Sequence, residues 1–64
     1  MKRKQYVLFD PSIKAYAGLN KLQITIEELQ SKAVIFDDRD NLKLKVRTYN
    51  LLTGLKFEVK ELNK

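Results

Sequence analysis

The chain has 64 residues, 44% of them hydrophobic, which suits one small folded domain and not a disordered segment. It contains no cysteine and no histidine, which excludes disulfides, thiolate metal sites, imidazole zinc ligands and the usual general base. The net charge of +5, from 13 basic and 8 acidic residues, makes nucleic acid a class of partner to consider.

The location of the protein is predicted from its apolar runs. The longest ones, Tyr6 to Phe9 and Ala33 to Phe36, are far shorter than a membrane span or the apolar core of a secretion signal. Because cysteine is also absent, we expect an intracellular, cytoplasmic protein. We expect residues 1–64 to form a single domain, in which 1–4 can act as a flexible basic arm.

The N-terminal segment predicts a β-hairpin. Gln5 to Phe9 is nearly all apolar and rich in aromatic and branched residues, which is typical of a central strand covered on both faces. Asp10-Pro11-Ser12 has the composition of a turn, since proline supplies the backbone angle of its second position. The return strand would run from Ile13 to Ala17 and close at Gly18.

A short helix is predicted next. Gly18 to Lys21 has the character of a loop. Thr25 to Glu28 then fits a capping box, in which the threonine hydroxyl and the second glutamate satisfy backbone amides at a helix start. Ile24 and Leu29 flank the box with the spacing of a hydrophobic staple. The sequence therefore predicts a capped helix at 26–32.

The segment that follows a short apolar strand at 33–36 allows two interpretations. Strict alternation in Leu42 to Val46 favours a strand, which would give a β-hairpin of 42–49 with the last strand. A helix at 38–52 is the other interpretation, because carboxylates lie at its start, basic residues follow in its later turns and Gly54 stands where a helix would end. We favour the helix.

The C-terminal half predicts a strand–helix–strand arrangement. On the favoured helix, four apolar residues share one side: Leu42, Val46, Tyr49 and Leu52. The last strand, 55–61, alternates with three residues facing inward: Leu55, Phe57 and Val59. Strand 33–36 and strand 55–61 should then run parallel and be joined by a right-handed crossover. The predicted fold class is α+β: an N-terminal hairpin, a short capped helix, then strand–helix–strand on one sheet.

Several short patterns carry a resemblance to a group of known sequences. They are Tyr6-Val7-Leu8, a K-x-Y-x-G segment at 14–18, an A-x-x-F-D segment at 33–37 and Phe57-Glu58-Val59. In this order they resemble short uncharacterised proteins, encoded by phages and mobile elements, that have a ββαβαβ-like pattern. The resemblance implies a small interaction module that binds and inhibits or modulates a host or defence protein.

The sequence offers little for catalysis. Asp37, Asp38 and Asp40 form the only carboxylate cluster and could bind a hard cation such as Mg²⁺, but an acidic turn or helix start is the favoured interpretation. Serine and threonine hydroxyls have no histidine to activate them. The two glycines, Gly18 and Gly54, are too far apart for a phosphate-binding loop. We expect no enzymatic activity, no catalytic or metal-binding residue and no cofactor.

Protein binding is the favoured function. If 38–52 is a helix, Leu44 and Leu51 lie opposite its core side and form an apolar strip beside Lys43 and Arg47. Apolar patches with charged rims often mark interfaces. The strip could instead lie beneath the 26–32 helix. The predicted partner is a protein, and a second copy of the chain is one candidate. We do not expect the chain to bind a membrane.

Nucleic-acid binding is the alternative function. Lys43 and Arg47 share a helical face and could contact phosphates, and Lys2, Arg3 and Lys4 could serve as a basic arm. No known nucleic-acid-binding motif is present. Four strand aromatics could stack on bases, although a place in the core is the favoured interpretation: Tyr6, Phe9, Tyr16 and Phe57.

Overall fold

The computed structural model describes residues 4–62. Lys2 and Arg3 of the predicted basic arm lie outside the described residues. The elements in chain order are β1 (Gln5–Asp10), β2 (Ala15–Asn20), β3 (Gln23–Glu27), a 3₁₀ turn (Gln30–Lys32), β4 (Phe36–Asp37), α1 (Leu42–Thr53) and β5 (Glu58–Leu62). All strands join one antiparallel sheet. The predicted fold class, a small α+β domain, is confirmed.

β1 is the central strand of the sheet, as predicted. Along one edge it pairs with β5, from Gln5 opposite Leu62 to Phe9 opposite Glu58. Its other edge is divided, since β2 pairs at Phe9 and Asp10 whereas β4 pairs at Gln5 and Tyr6. With neighbours on both edges and side chains covered on both faces, Val7 and Leu8 are fully buried.

The hydrophobic core lies between α1 and one face of this sheet. Its buried members come from β1, β2, β4, α1 and the segment before β5: Leu8, Ala17, Phe36, Tyr49 and Phe57. The rings of Phe36 and Tyr49 meet edge to face with centroids 5.9 Å apart. Such a contact adds about 0.5–1.5 kcal/mol to the stabilisation from burial. α1 is therefore held on the sheet by one side only.

The predicted turn after β1 is confirmed, and the structure shows what holds it. The Asp10 side chain is buried, and its Oδ1 accepts from the Ser12 amide at 2.9 Å and from the Ser12 hydroxyl at 2.6 Å. Asp10 Oδ2 accepts from the Lys56 amide at 3.1 Å. These bonds, above all the one from the Ser12 hydroxyl, lower the pKa of Asp10 below its ordinary value of 3.8. Asp10 thus links the hairpin turn to the segment before β5.

β2 begins and ends later than the prediction of 13–17. It starts at Ala15 and continues through Gly18 to Asn20, so Gly18 lies within the strand and residues 18–21 do not form a loop. A Cβ atom on Gly18 would lie 2.5 Å from Thr25 Oγ1 and 3.2 Å from the Lys32 carbonyl oxygen. The glycine is needed for this close approach and not to end the strand.

The capped helix predicted at 26–32 is wrong. Thr25 lies in the middle of β3, and its hydroxyl donates to Glu27 Oε2 at 2.7 Å instead of capping a helix. The turn between β2 and β3 has positive φ at both central residues, Lys21 and Leu22, as a type I′ hairpin turn requires. Only the 3₁₀ turn at Gln30–Lys32 is helical in this region, and it has no side-chain cap.

The helix predicted after β4 is confirmed, which rules out the hairpin of 42–49. α1 starts at Leu42 and not at residue 38, because Asp37 and Asp40 form a turn ahead of it. The Asp37 amide donates to Asp40 Oδ2 at 2.9 Å, and the Asp40 amide donates to the Asp37 carbonyl at 3.1 Å. The helix ends as predicted at Gly54, whose φ of 74° is left-handed.

The two strands of the predicted strand–helix–strand unit run parallel, as predicted, but they are not neighbours in the sheet. β4 and β5 are each antiparallel to β1 and lie on its opposite edges, so they share a direction but have β1 between them. The strand predicted at 33–36 is reduced to β4. Before it, the Val34 amide donates to the Ala17 carbonyl at 3.0 Å, which places this segment beside β2.

The last strand also begins later than predicted. β5 runs from Glu58 to Leu62, and the inward side of the predicted strand is only partly buried. Phe57 is buried, Leu55 is half-buried and Val59 is exposed. Within residues 4–62, no helix has the length and apolar character needed to cross a membrane.

Candidate functional site

The candidate site is the side of α1 that faces away from the sheet, and it depends on well-defined helix ends. At the start, the Asn41 side chain accepts from the Leu44 amide at 3.2 Å. At the end, the Gly54 amide donates to the Asn50 carbonyl at 2.8 Å. Both contacts satisfy backbone groups that a helix leaves unpaired at its termini. The positions of the exposed side chains along α1 are fixed accordingly.

The inner side of α1 is anchored to the sheet and to β5. Tyr49 is buried, and Leu42 and Val46 pack against the core. Asn50 bonds to the backbone of Phe57 twice, accepting from its amide at 2.6 Å and donating to its carbonyl at 3.4 Å. This anchoring leaves the opposite side of the helix free of contacts with the sheet.

The outer side of α1 carries three exposed leucines, which we call the outer strip: Leu44, Leu51 and Leu52. Their exposed fractions are 55%, 83% and 69%. Leu44 and Leu51 are exposed, as the helical spacing predicts. Leu52, predicted on the core side, is the residue that sequence reasoning missed, because the helix lies on the sheet through a narrower face than the spacing indicates.

The 3₁₀ turn does not cover the outer strip. Phe9 pairs with Tyr16 in the hairpin, and the two rings are 4.8 Å apart, so Tyr16 lies on the sheet face opposite the core. Gly18 shares that face by alternation, and the 3₁₀ turn packs over it through the Lys32 carbonyl. The alternative prediction, a strip beneath a helix at 26–32, is therefore wrong.

Two of the predicted basic residues border the outer strip. Lys43 and Arg47 are both exposed on α1, one helical turn apart. On a helix they project between the core side and the side of Leu44 and Leu51. The structure thus brings all four predicted partner-binding residues, Lys43, Leu44, Arg47 and Leu51, to the solvent side of a single helix.

Two acidic residues before α1, Asp37 and Asp40, accept hydrogen bonds that hold the turn ahead of the helix. Arg39 donates from its amide to Asp37 Oδ1 at 2.9 Å and from its guanidinium to Asp37 Oδ2 at 3.1 Å. Asp40 accepts from the Asp37 amide, and Asp38 is exposed. Within residues 4–62, no group of three or more histidine, cysteine or acidic side chains is placed to hold a metal ion.

The residues predicted for nucleic acid do not come together in one place. Tyr6 and Phe57 pack in the core, whereas Phe9 and Tyr16 lie on the opposite sheet face. That face carries the Lys60 ammonium, 5.0 Å from the centre of the Phe9 ring and 5.7 Å from that of Tyr16. Two aromatic rings and a lysine are thus separated from the α1 cations by the thickness of the sheet.

The geometry therefore presents a helix with an exposed apolar strip and a basic border. Comparison of the chain with protein-family models, with curated proteins and with solved structures gives no match.

Proposed function

We propose that this chain is a non-enzymatic protein-binding module that acts in the cytoplasm and holds its partner against the outer side of α1. The resemblance to small phage and mobile-element proteins suggests the setting, which is inhibition or modulation of a host or defence protein. The observation that carries the proposal is the exposure of Leu51, at 83%, on a helix that is anchored through its other side.

The energetic argument concerns what the outer strip gains from a partner. Covering a leucine side chain removes apolar surface from water and contributes about 1.5–3 kcal/mol for full burial. Leu44 and Leu51 are seven residues apart, which places them about 10 Å apart along the helix axis. A helix face of this length suits a hydrophobic groove, in which leucines two turns apart serve as anchors.

The border of the strip indicates the chemistry of the partner. Lys43 and Arg47 would meet the rim of such a groove, where acidic side chains speed association and select the partner. We therefore expect an apolar groove with glutamate or aspartate along one side. A basic rim would be rejected, because like charges facing each other disfavour the complex.

A capture experiment with a charge-matched control tests the proposal. The wild-type chain, the double variant L44K/L51K and the control D38K are immobilised and exposed to lysate from the native organism. D38K and L44K/L51K raise the net charge equally, but Asp38 lies in the exposed turn before α1. Circular dichroism establishes that all three are folded.

The expected result is one protein captured by the wild-type chain and by D38K, and at least about tenfold less of it captured by L44K/L51K, the effect of losing about 1.4 kcal/mol of binding energy. Equal capture by L44K/L51K would show that the partner binds elsewhere. Absence of any specific capture would remove the support for a protein partner.

Nucleic-acid binding is a second candidate, supported by the exposure of Lys43, Arg47 and Lys4. Titration with labelled DNA and RNA at about 50 and 200 mM salt separates it from protein binding. Binding through several phosphates weakens by orders of magnitude over this range. Replacing Lys43 and Arg47 by glutamine should reduce the salt dependence, and no binding at low salt would exclude this candidate.

A further inference from the structure

The outer edge of β3 has free backbone groups at defined positions. Among residues 4–62, β3 pairs only with β2. The two-residue turn joins Asn20 and Gln23, and such a turn closes on a hydrogen-bonded pair. Because these pairs alternate with non-bonded ones, the amides and carbonyls of Ile24 and Ile26 point away from β2. The sheet therefore offers another strand two donors and two acceptors at this edge.

This edge lacks the features that usually prevent strand pairing. Exposed edges are commonly protected by lysine, proline, a bulge or inward-pointing charges. β3 has none of these, and its one charged residue, Glu27, is the last of the strand. Of the other outer strands, β4 has only two residues, and β5 carries Glu58, Lys60 and Glu61 within a strand of the same length as β3. β3 is therefore the edge open to association.

We propose that β3 pairs antiparallel with β3 of a second copy of this chain, with the two-fold axis at Thr25. In this register each Ile24 faces Ile26 of the second copy, so the outward amides and carbonyls of both are satisfied. Thr25 faces Thr25 of the second copy as a non-bonded pair. Gln23 faces Glu27 of the second copy, so no like charges meet. The strand is complementary to itself in hydrogen bonds and apolar side chains, and the register brings no like charges together.

The side chains on the α1 side of the sheet favour the same register. Ile26 lies opposite Ala17 of the core, which places it on that side, yet it is 48% exposed. Pairing with Ile24 of the second copy covers it, and aliphatic cross-strand pairs stabilise a sheet. One five-residue strand buries less than the roughly 1,200 Å² of a standard interface, so the dimer should dissociate in the micromolar range or above.

Single cysteines test the register directly, because the chain has no cysteine of its own. In T25C the two thiols would face each other across a non-bonded pair, where Cα atoms are about 4.5 Å apart and a disulfide can form. In the control Q23C they would be four positions apart, about 13 Å, which is beyond disulfide reach. Mild oxidation should therefore link T25C into dimers and leave Q23C monomeric.

A backbone variant tests the hydrogen bonds. I26P removes an amide that points away from β2, and proline is tolerated at such edge positions. I26A loses the same side chain but keeps the amide. Sedimentation between about 1 µM and 1 mM should show a reversible wild-type dimer, with I26P dimerising about tenfold more weakly than I26A. Amide exchange at Ile24 and Ile26 should slow as the wild-type concentration rises.

The outcomes separate this dimer from other uses of the edge. Linked T25C, unlinked Q23C and a concentration-dependent dimer support it. A wild-type dimer with unlinked T25C would show that the copies meet through another surface and would overturn the register. A chain monomeric over the whole range would overturn the proposal and leave the edge to a strand of another protein. None of the residues tested belongs to the outer strip, so failure here does not affect the proposed function.

Discussion

The Asn50 side chain forms two hydrogen bonds with the backbone of Phe57, as a neighbouring strand would. It accepts from the Phe57 amide at 2.6 Å and donates to the Phe57 carbonyl at 3.4 Å. Asn50 is in α1 and Phe57 lies just before β5, so the pair fixes how the chain leaves the helix and enters the sheet. The orientation of α1, and with it the direction of the outer strip, depends on this contact.

Replacement of Asn50 by alanine should therefore destabilise the domain. It leaves two backbone groups of the buried Phe57 without partners, at a cost of about 1–3 kcal/mol. In a domain this small that lowers the melting temperature by about 4–8 °C per kcal/mol. T48A, on the exposed side of the same helix, is the control and should change stability by less than about 0.5 kcal/mol. Thermal and urea unfolding measure both.

Replacement of Asp10 by asparagine should reduce stability in a pH-dependent way. The hydrogen bonds from Ser12 and Lys56 lower the pKa of Asp10 in the folded state below its ordinary value of 3.8. A carboxyl of this kind stabilises the fold fully above its unfolded pKa and loses that contribution as the pH falls through the lower, folded pKa. The stability difference between wild type and D10N should be constant near neutral pH and shrink below about pH 4.

Urea unfolding from pH 7 to about pH 2 measures this difference, with E61Q as a control that also removes one negative charge, from an exposed position. A wild-type to D10N difference that grew in acid would have the wrong sign for a lowered pKa. It would show that the Asp10 contacts do not favour the charged form.

Alanine at Gly18 should be more damaging than alanine at Gly54, for different reasons. At Gly18 the added Cβ would lie 2.5 Å from Thr25 Oγ1, and such overpacking costs about 1–3 kcal/mol. At Gly54 nothing lies within 4 Å, but φ is 74°, so the penalty is the strain of a left-handed backbone, about 1–2 kcal/mol.

A double-mutant cycle identifies the clash at Gly18. T25A removes the nearest atom, so G18A/T25A should be less destabilised than the sum of G18A and T25A, as measured by urea unfolding. Additive effects would place the penalty of G18A at the other close atoms, Glu27 Cγ at 2.8 Å and the Lys32 carbonyl at 3.2 Å, instead of at the threonine.

The region around Thr25 shows why the sequence predicted a helix at 26–32 where the structure has the strand β3. The capping-box pattern at 25–28 is a local signal. It competes with Gln23 to Glu27, where polar and apolar residues alternate and three adjacent β-branched residues favour a strand. Pairing with β2 decides between them, and that pairing depends on a turn whose positive φ angles fall on Lys21 and Leu22. These residues do not have the asparagine–glycine signature of such turns, so the sequence does not indicate the hairpin of β2 and β3.

The candidate site was more predictable than the sheet. Helical spacing alone placed Leu44 and Leu51 opposite the core residues, because periodicity is a local property. The sequence did not reveal that Leu52 is exposed, since this depends on how wide a face of α1 contacts the sheet. The position of β1 between β4 and β5 could not be predicted from the sequence either, because strand order depends on contacts between distant parts of the chain.

Substitutions on the two sides of α1 should differ sharply in their effect on stability if the outer strip is free for a partner. Y49A removes a buried ring that packs edge to face on Phe36, and loss of a large core aromatic costs about 3–5 kcal/mol. That is a large part of the total stability of a small domain, so Y49A should be mostly unfolded by circular dichroism. L51A should change the free energy of unfolding by less than about 0.5 kcal/mol, because its side chain is in solvent. A large destabilisation by L51A would mean that Leu51 supports the fold, and the outer strip would then not be available for binding.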